Sequence, residues 1–150
     1  MNRKFAALAF TTLFAVPFAA QAQFAKMEDA IEYRKSALFL IGQHFGRIGA
    51  VVKGEKPYDK ATVEADAALV ETLSKLPWHA FVPGSDAGRT KAKPEIWKEQ
   101  DKFKAAADKM QTEVSKLNAA TKSGDLAMIK TAFGSTGQSC KACHDNYRAK

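Results

Sequence analysis

The chain has 150 residues, of which 46% are hydrophobic and 26% charged, with 9 glycines and 5 prolines. This composition excludes a collagen-like or proline-rich polymer and a polytopic membrane protein, and the length indicates one domain. Two cysteines are too few for a small secreted module held together by disulfides. The net charge of +7 is compatible with nucleic acid, an anionic membrane or an acidic protein as a partner, and does not choose among them.

Residues 1–22 have the features of an export signal. Arg3 and Lys4 are followed by the apolar run Phe5–Phe18 and by the small-x-small site Ala20–Ala22. The run is shorter than the ~20 apolar residues of a membrane span, so cleavage before Gln23 is favoured over an anchor. Loss of Arg3 and Lys4 lowers the net charge from +7 to +5. We expect a periplasmic protein, in an oxidising compartment where a lone cysteine pair needs a use.

Apolar residues recur every three or four positions along most of the remaining chain, which predicts helices and no strand. The predicted helices are Ala25–Val52, Ala61–Leu76, Pro94–Ser123 and Asp125–Ala149. Pro77 ends the second helix, and a long loop rich in proline and glycine connects it to the third. The pattern predicts an all-α fold, an antiparallel four-helix bundle formed by a single domain at residues 23–150.

The residues Cys140-Lys141-Ala142-Cys143-His144 form a C-x-x-C-H motif near the C-terminus. This is the pattern of covalent c-type haem attachment, in which both thiols bond to haem vinyl groups and the histidine faces the iron. Residues three and four apart share a helix face, so the spacing suits that chemistry. A thioredoxin-like site would need an α/β context, and a zinc site would lack a fourth ligand.

A second axial ligand for the iron would have to come from upstream of the motif. The candidates are Met27, His44, His79, Met110 and Met128. Met128 lies on the motif's own helix, about 24 Å along the axis from His144 at ~1.5 Å per residue, and the others fit core, surface or terminal positions better. We therefore expect an apolar distal side and a five-coordinate, high-spin iron that favours small neutral gases.

The mature chain closely resembles the cytochromes c′, the c-type cytochromes that carry the motif at the C-terminal end of a four-helix bundle. The resemblance rests on the motif and on segments at residues 23–26, 33–38, 44–47, 51–54, 57–59, 76–78, 81, 83–84, 93–97 and 140–145. It covers the whole chain after the predicted signal.

The resemblance implies roles for particular residues. One haem c is attached through Cys140 and Cys143, His144 is its sole protein ligand to iron, and Leu38 caps the vacant distal face. Arg34, Lys35 and Thr90 line the haem edge and propionates. Arg148 matches a basic residue near the proximal face.

Family members bind nitric oxide and carbon monoxide, pass electrons and form homodimers through the first two helices. Two functions therefore stay open, an electron carrier and a dedicated module for nitric oxide sequestration. A weaker alternative is a thiol redox protein with free Cys140 and Cys143. We expect no enzymatic activity, and basic residues interspersed with Asp and Glu argue against nucleic acid binding.

Overall fold

A computed structural model describes residues 23–150, and the predicted export signal at 1–22 lies outside the described residues. The described chain contains, in order, α1 (Met27–Val52), α2 (Lys60–Leu73), a 3₁₀ turn (Trp78–Ala80), α3 (Glu95–Lys98), α4 (Gln100–Ser123) and α5 (Leu126–Tyr147). No strand occurs in this part of the chain, and four long helices form the predicted all-α bundle. Nor does any described helix combine the length and hydropathy needed to cross a bilayer.

The turn between α4 and α5 has the capping chemistry that its sequence predicts. Gly124 ends α4 with a φ of 76°, a left-handed conformation that glycine adopts without steric cost. The carboxylate of Asp125 then accepts hydrogen bonds from the backbone N–H groups of Ala127 and Met128, which satisfies two free donors of α5. These caps hold α4 and α5 as an antiparallel hairpin.

The second helix ends earlier than predicted, at Leu73 rather than Leu76. The carbonyl of Ser74, just after the helix, accepts from the indole N–H of Trp78 at 2.6 Å. The following turn uses bonds from each residue to the third residue before it, including Leu76 N to Leu73 O at 3.0 Å. The tighter turn directs the chain into the 3₁₀ turn.

The predicted third helix is wrong in one respect, because it is two helices. Glu99, with φ −123° and ψ 48°, separates α3 from α4. The break lets the Trp97 indole donate to the carbonyls of Phe81 and Val82 at 3.2 and 3.0 Å, which anchors α3 to the long loop. Neither proline nor glycine marks this position.

The fourth predicted helix is also shorter, since α5 ends at Tyr147 and not at Ala149. Arg148 has extended backbone and forms an isolated antiparallel bridge with Ala92. Hydrogen bonds from Lys93 N to Tyr147 O and from Ala149 N to Lys91 O complete this contact. The contact fastens the long loop to the end of the helix that carries the motif.

Two clusters of buried apolar side chains hold the helices together. The first packs Ile48 of α1, Val63 and Ala67 of α2, Leu117 and Ala120 of α4 and Ile129 of α5. The second packs Ile41, Val70, Met110 and Val114, with Leu38 and Cys140 against it. The second cluster forms the floor of a cavity between α1, α5 and the long loop.

Candidate functional site

The cavity has a volume of about 890 Å³, within the ~300–1,000 Å³ range of cofactor and small-molecule sites. All seven residues assigned to the site from the sequence line it: Arg34, Lys35, Leu38, Thr90, Cys140, Cys143 and His144. Arg148 lines it as well. Residues from α1, the loop and α5 thus come together in one place.

Helix α5 contributes the motif to one wall of the cavity. Cys140 and Cys143 are free thiols, and both are partly buried. Burial raises the pKa of Cys140, and burial together with the neighbouring Cys140 raises the pKa of Cys143 to about 11. Both thiols are therefore neutral near pH 7, which disfavours the thiolate that thiol redox chemistry uses.

His144 follows on the same turn of α5 and lines the cavity with the two thiols. Partial burial, and then the positive charge of Arg148, lower the pKa of its imidazole. The ring is therefore neutral near pH 7, the form in which a ring nitrogen can coordinate a metal. Two thiols and a neutral imidazole within little more than one turn of one helix match the donor set of c-type haem attachment.

Helix α1 contributes an apolar wall. Leu38, Ile41 and Phe45 line the cavity, and their spacing of three and four residues places them on one face of the helix. Leu38 is partly buried and packs against the second core cluster. Among these α1 residues no side chain offers a metal-binding atom, which agrees with the role that the resemblance implies for Leu38.

Arg34 is buried, with an exposed fraction of 2%, and its guanidinium binds the long loop. Nη1 donates to Ala80 O at 2.9 Å and to Ser85 Oγ at 2.5 Å. Nη2 donates to Ser85 O at 2.5 Å and to Thr90 Oγ1 at 3.0 Å. Four loop acceptors thus receive the terminal N–H groups, which leaves Nε for a ligand. The resemblance places Arg34 at the haem edge and propionates, and it does not predict these loop contacts.

The cavity has a basic lining. Five cationic residues border it, Arg34, Lys35, Arg89, Lys91 and Arg148, and no acidic residue is among its described lining. Arg89 and Lys91 were not predicted, although they flank Thr90 in the loop. A concentration of positive charge suits a ligand that carries carboxylates, as haem does with its two propionates.

Aromatic side chains complete the cavity on the loop side. Phe103 contacts Phe81 and Tyr147 edge to face, with ring centroids 4.8 and 5.2 Å apart. Trp78 contacts the same ring at 5.8 Å. Such a wall offers a flat apolar ligand large contact surfaces.

The other candidate iron ligands divide into two groups. Met27, His44, His79 and Met128 are absent from the described cavity lining. The His44 ring instead hydrogen-bonds Asp66 at 2.7 Å, between α1 and α2. Met110 does line the cavity, but it is 5% exposed and packs with Ile41 and Val114 in the second cluster.

Comparisons with known proteins agree on one family. The profile described as Cytochrome C′ matches residues 29–148. A cytochrome c′ of Rubrivivax gelatinosus is 54% identical over 129 residues, 85% of this chain and 100% of that protein. One of Alcaligenes xylosoxydans xylosoxydans is 52% identical over 128 residues, 85% of this chain and 99% of that protein.

A solved structure shares the fold. The nitric oxide complex of a leucine-to-alanine mutant of cytochrome c prime from Alcaligenes xylosoxidans has a TM-score of 0.81 at 50% identity. The match covers 85% of this chain and 99% of that one.

Proposed function

Because the chain belongs to the cytochrome c′ family, whose cofactor is covalently bound haem c, we propose that it is a periplasmic protein that binds nitric oxide and carbon monoxide at a five-coordinate, high-spin haem. The observation that carries this proposal is the cavity itself. It combines two neutral thiols and an imidazole on α5 with a hydrocarbon wall on α1.

The haem, when bound, supplies an iron atom that coordinates small gases. Cys140 and Cys143 would hold it through thioether bonds, and the His144 ring would supply the protein's nitrogen ligand. Lys35, Thr90 and the Nε of Arg34 would bind and orient its carboxylates, together with Arg89 and Lys91.

Leu38 determines which ligands the site favours. A leucine side chain offers no hydrogen-bond donor, so it gives no stabilisation to a ligand such as dioxygen that benefits from one. It also excludes water and anions, because an apolar wall cannot replace their hydration. Nitric oxide and carbon monoxide lose little hydration on entering such a site. The nitric oxide complex of a leucine-to-alanine mutant of a relative supports nitric oxide as a ligand.

Mass spectrometry and absorption spectroscopy test the proposal on the protein exported from cells. The mature chain should begin at Gln23 and carry one haem, and the ferrous form should have a five-coordinate, high-spin spectrum. A mature chain without a haem adduct would refute the cytochrome function altogether. A six-coordinate, low-spin spectrum would refute the role of Leu38.

Met110 provides the matched control, because it is a sulfur-containing residue of the cavity lining other than the two cysteines. If Met110 were a sixth ligand, Met110→Leu would convert a low-spin spectrum to a high-spin one. We expect Met110→Leu to leave the spin state unchanged, and Leu38→Ala to speed carbon monoxide binding. An unchanged association rate in Leu38→Ala would argue against steric control.

Electron transfer is the second candidate function, and the basic residues at the cavity favour it. Arg89, Lys91 and Arg148 would attract an acidic redox partner to the edge of the haem. A strain that lacks the protein separates the two functions. Loss of nitric oxide tolerance supports sequestration, whereas unaltered tolerance favours the electron carrier.

A homodimer through α1 and α2 also belongs to the proposal. The His44 ring hydrogen-bonds Asp66 between these helices, and large exposed side chains lie along both of them, at Tyr33 and Leu40 of α1 and Leu69 of α2. A second copy of the chain would cover this apolar surface. Analytical ultracentrifugation should show a dimer that Leu69→Glu converts to a monomer, and a monomeric parent protein would refute it.

A further inference from the structure

We propose that Phe39 and Gly42 of α1 form a lateral portal through which apolar gases reach the cavity. This inference rests on the proposed function and concerns the route to the site rather than the site itself. Both residues line the cavity, and both are exposed to solvent. They are therefore places where the wall of the cavity is also the surface of the protein.

Gly42 leaves the opening in the wall. A Cβ built at this position would meet no atom within 4 Å, so there is space beside the helix backbone. Gly42 lies one turn after Leu38, and residues four apart are neighbours on a helix surface. A molecule that passes over Gly42 therefore arrives beside Leu38, the residue proposed to cap the distal face.

Phe39 borders the same opening. It has an exposed fraction of 63%, the largest among the exposed large hydrophobic residues of the described chain. Residues 39 and 42 are three apart, so the ring stands next to the space over Gly42. An aromatic ring at the opening offers an apolar surface to a gas while it narrows the passage.

The chemistry of the cavity rim favours this side for apolar molecules. Three basic residues of the lining belong to other elements, Arg89 and Lys91 to the long loop and Arg148 to the residues after α5. Lys35 shares the face of α1 with Phe39, four residues on, and with Gly42, which lies seven residues on, a rise of about 10 Å. Carboxylates and water are favoured near these cations, which leaves the Gly42 end of the opening to neutral gases.

Carbon monoxide association after flash photolysis of the ferrous protein tests the portal. We expect Gly42→Leu to slow association by about tenfold, equal to an added barrier of about 1.4 kcal/mol, because the side chain fills the opening. Phe39→Ala should speed association. The absorption spectra of both unliganded variants should match that of the parent protein.

Two exposed positions outside the cavity lining serve as controls. Gly46 lies one turn after Gly42, and a Cβ there would also meet nothing within 4 Å. Met128 is 52% exposed on α5 and controls for the loss of an exposed apolar side chain at Phe39. Association rates in Gly46→Leu and Met128→Ala should equal that of the parent, and Gly42→Ala is a milder variant if Gly42→Leu does not fold.

The portal would be refuted if Gly42→Leu and Gly46→Leu bound carbon monoxide at the same rate. Crystals of the haem-loaded protein under xenon pressure give a readout that is independent of the iron. We expect xenon beside Gly42 in the parent protein and none there in Gly42→Leu, and equal xenon in both would also refute the portal. Failure of the parent protein to bind carbon monoxide would instead refute the proposed function, and the xenon result would still decide the portal.

Discussion

Replacing Arg34 by methionine removes the guanidinium that ties the long loop to α1 while it keeps a long apolar side chain. The substitution leaves the carbonyl oxygens of Ala80 and Ser85 without their donor in a buried position. It also removes the contacts of the cation with the rings of Phe81 and Trp97, at 4.6 and 5.8 Å.

The cost follows from the groups that lose a partner. A buried carbonyl left unsatisfied costs about 1–3 kcal/mol, so the two carbonyls together cost about 2–6 kcal/mol. The hydroxyls of Ser85 and Thr90 lose less, because Ser85 Oγ also donates to Val82 O and Thr90 Oγ1 also accepts from Ala92 N. We expect a loss of about 4 kcal/mol, which lowers Tm by roughly 10–15 °C in a domain of this size.

Urea denaturation followed by circular dichroism measures this loss in the haem-loaded protein. Lys104→Met is the control, since Lys104 lies outside the cavity lining, is exposed, and makes an ion pair with Asp108 at 2.5 Å. An exposed pair of this kind contributes at most about 1 kcal/mol. Equal losses in Arg34→Met and Lys104→Met would refute the reasoning, because the loop contacts of Arg34 would then contribute nothing.

Three further predictions concern the scaffold, each measured by urea unfolding. Gly49→Ala should lower the free energy of unfolding by about 1 kcal/mol, because the added Cβ would lie 2.9 Å from Cζ of Phe133. Phe133→Leu added to Gly49→Ala should relieve the loss, and a Gly49→Ala protein more stable than the parent would contradict this. Asp125→Ala should cost about 1 kcal/mol through loss of the α5 cap, and no change would argue against the cap. The hydrogen bond from Asn118 lowers the pKa of Glu71 below its ordinary 4.5, so the stability that the ionised Glu71 gives is present at neutral pH and is lost as the pH falls below 4.5. Glu71→Gln should therefore lose less stability on acidification than the parent protein, and parallel profiles of stability against pH would contradict this.

Much of the architecture is predictable because it depends on local signals. Apolar spacing, Gly124 and Asp125 are enough to predict the α4–α5 hairpin, and the motif's spacing is a property of one helix turn. The break at Glu99 is different, because it accompanies the contact of Trp97 with a loop that is distant in sequence. No breaker residue marks it, so apolar periodicity predicts one continuous helix.

The same distinction applies to the cavity. Cys140 and His144 are predictable from their order in the chain, whereas Leu38 and Thr90 required a resemblance to a known family. Arg89 and Lys91 border the cavity only because Arg34 and the end of α5 hold the loop in place. Such long-range contacts leave no periodic pattern in the sequence, so these residues become visible only in the folded structure.

The α1–α2 and α4–α5 hairpins have a consequence for folding kinetics. Within each hairpin the helices are joined by a short connection, so each can form with little loop-closure entropy. The cavity instead joins Leu38 to Cys140, 102 positions apart, and such non-local contacts form slowly. The two hairpins are therefore expected to form before they dock, and the cavity between α1 and α5 is completed in the docking step.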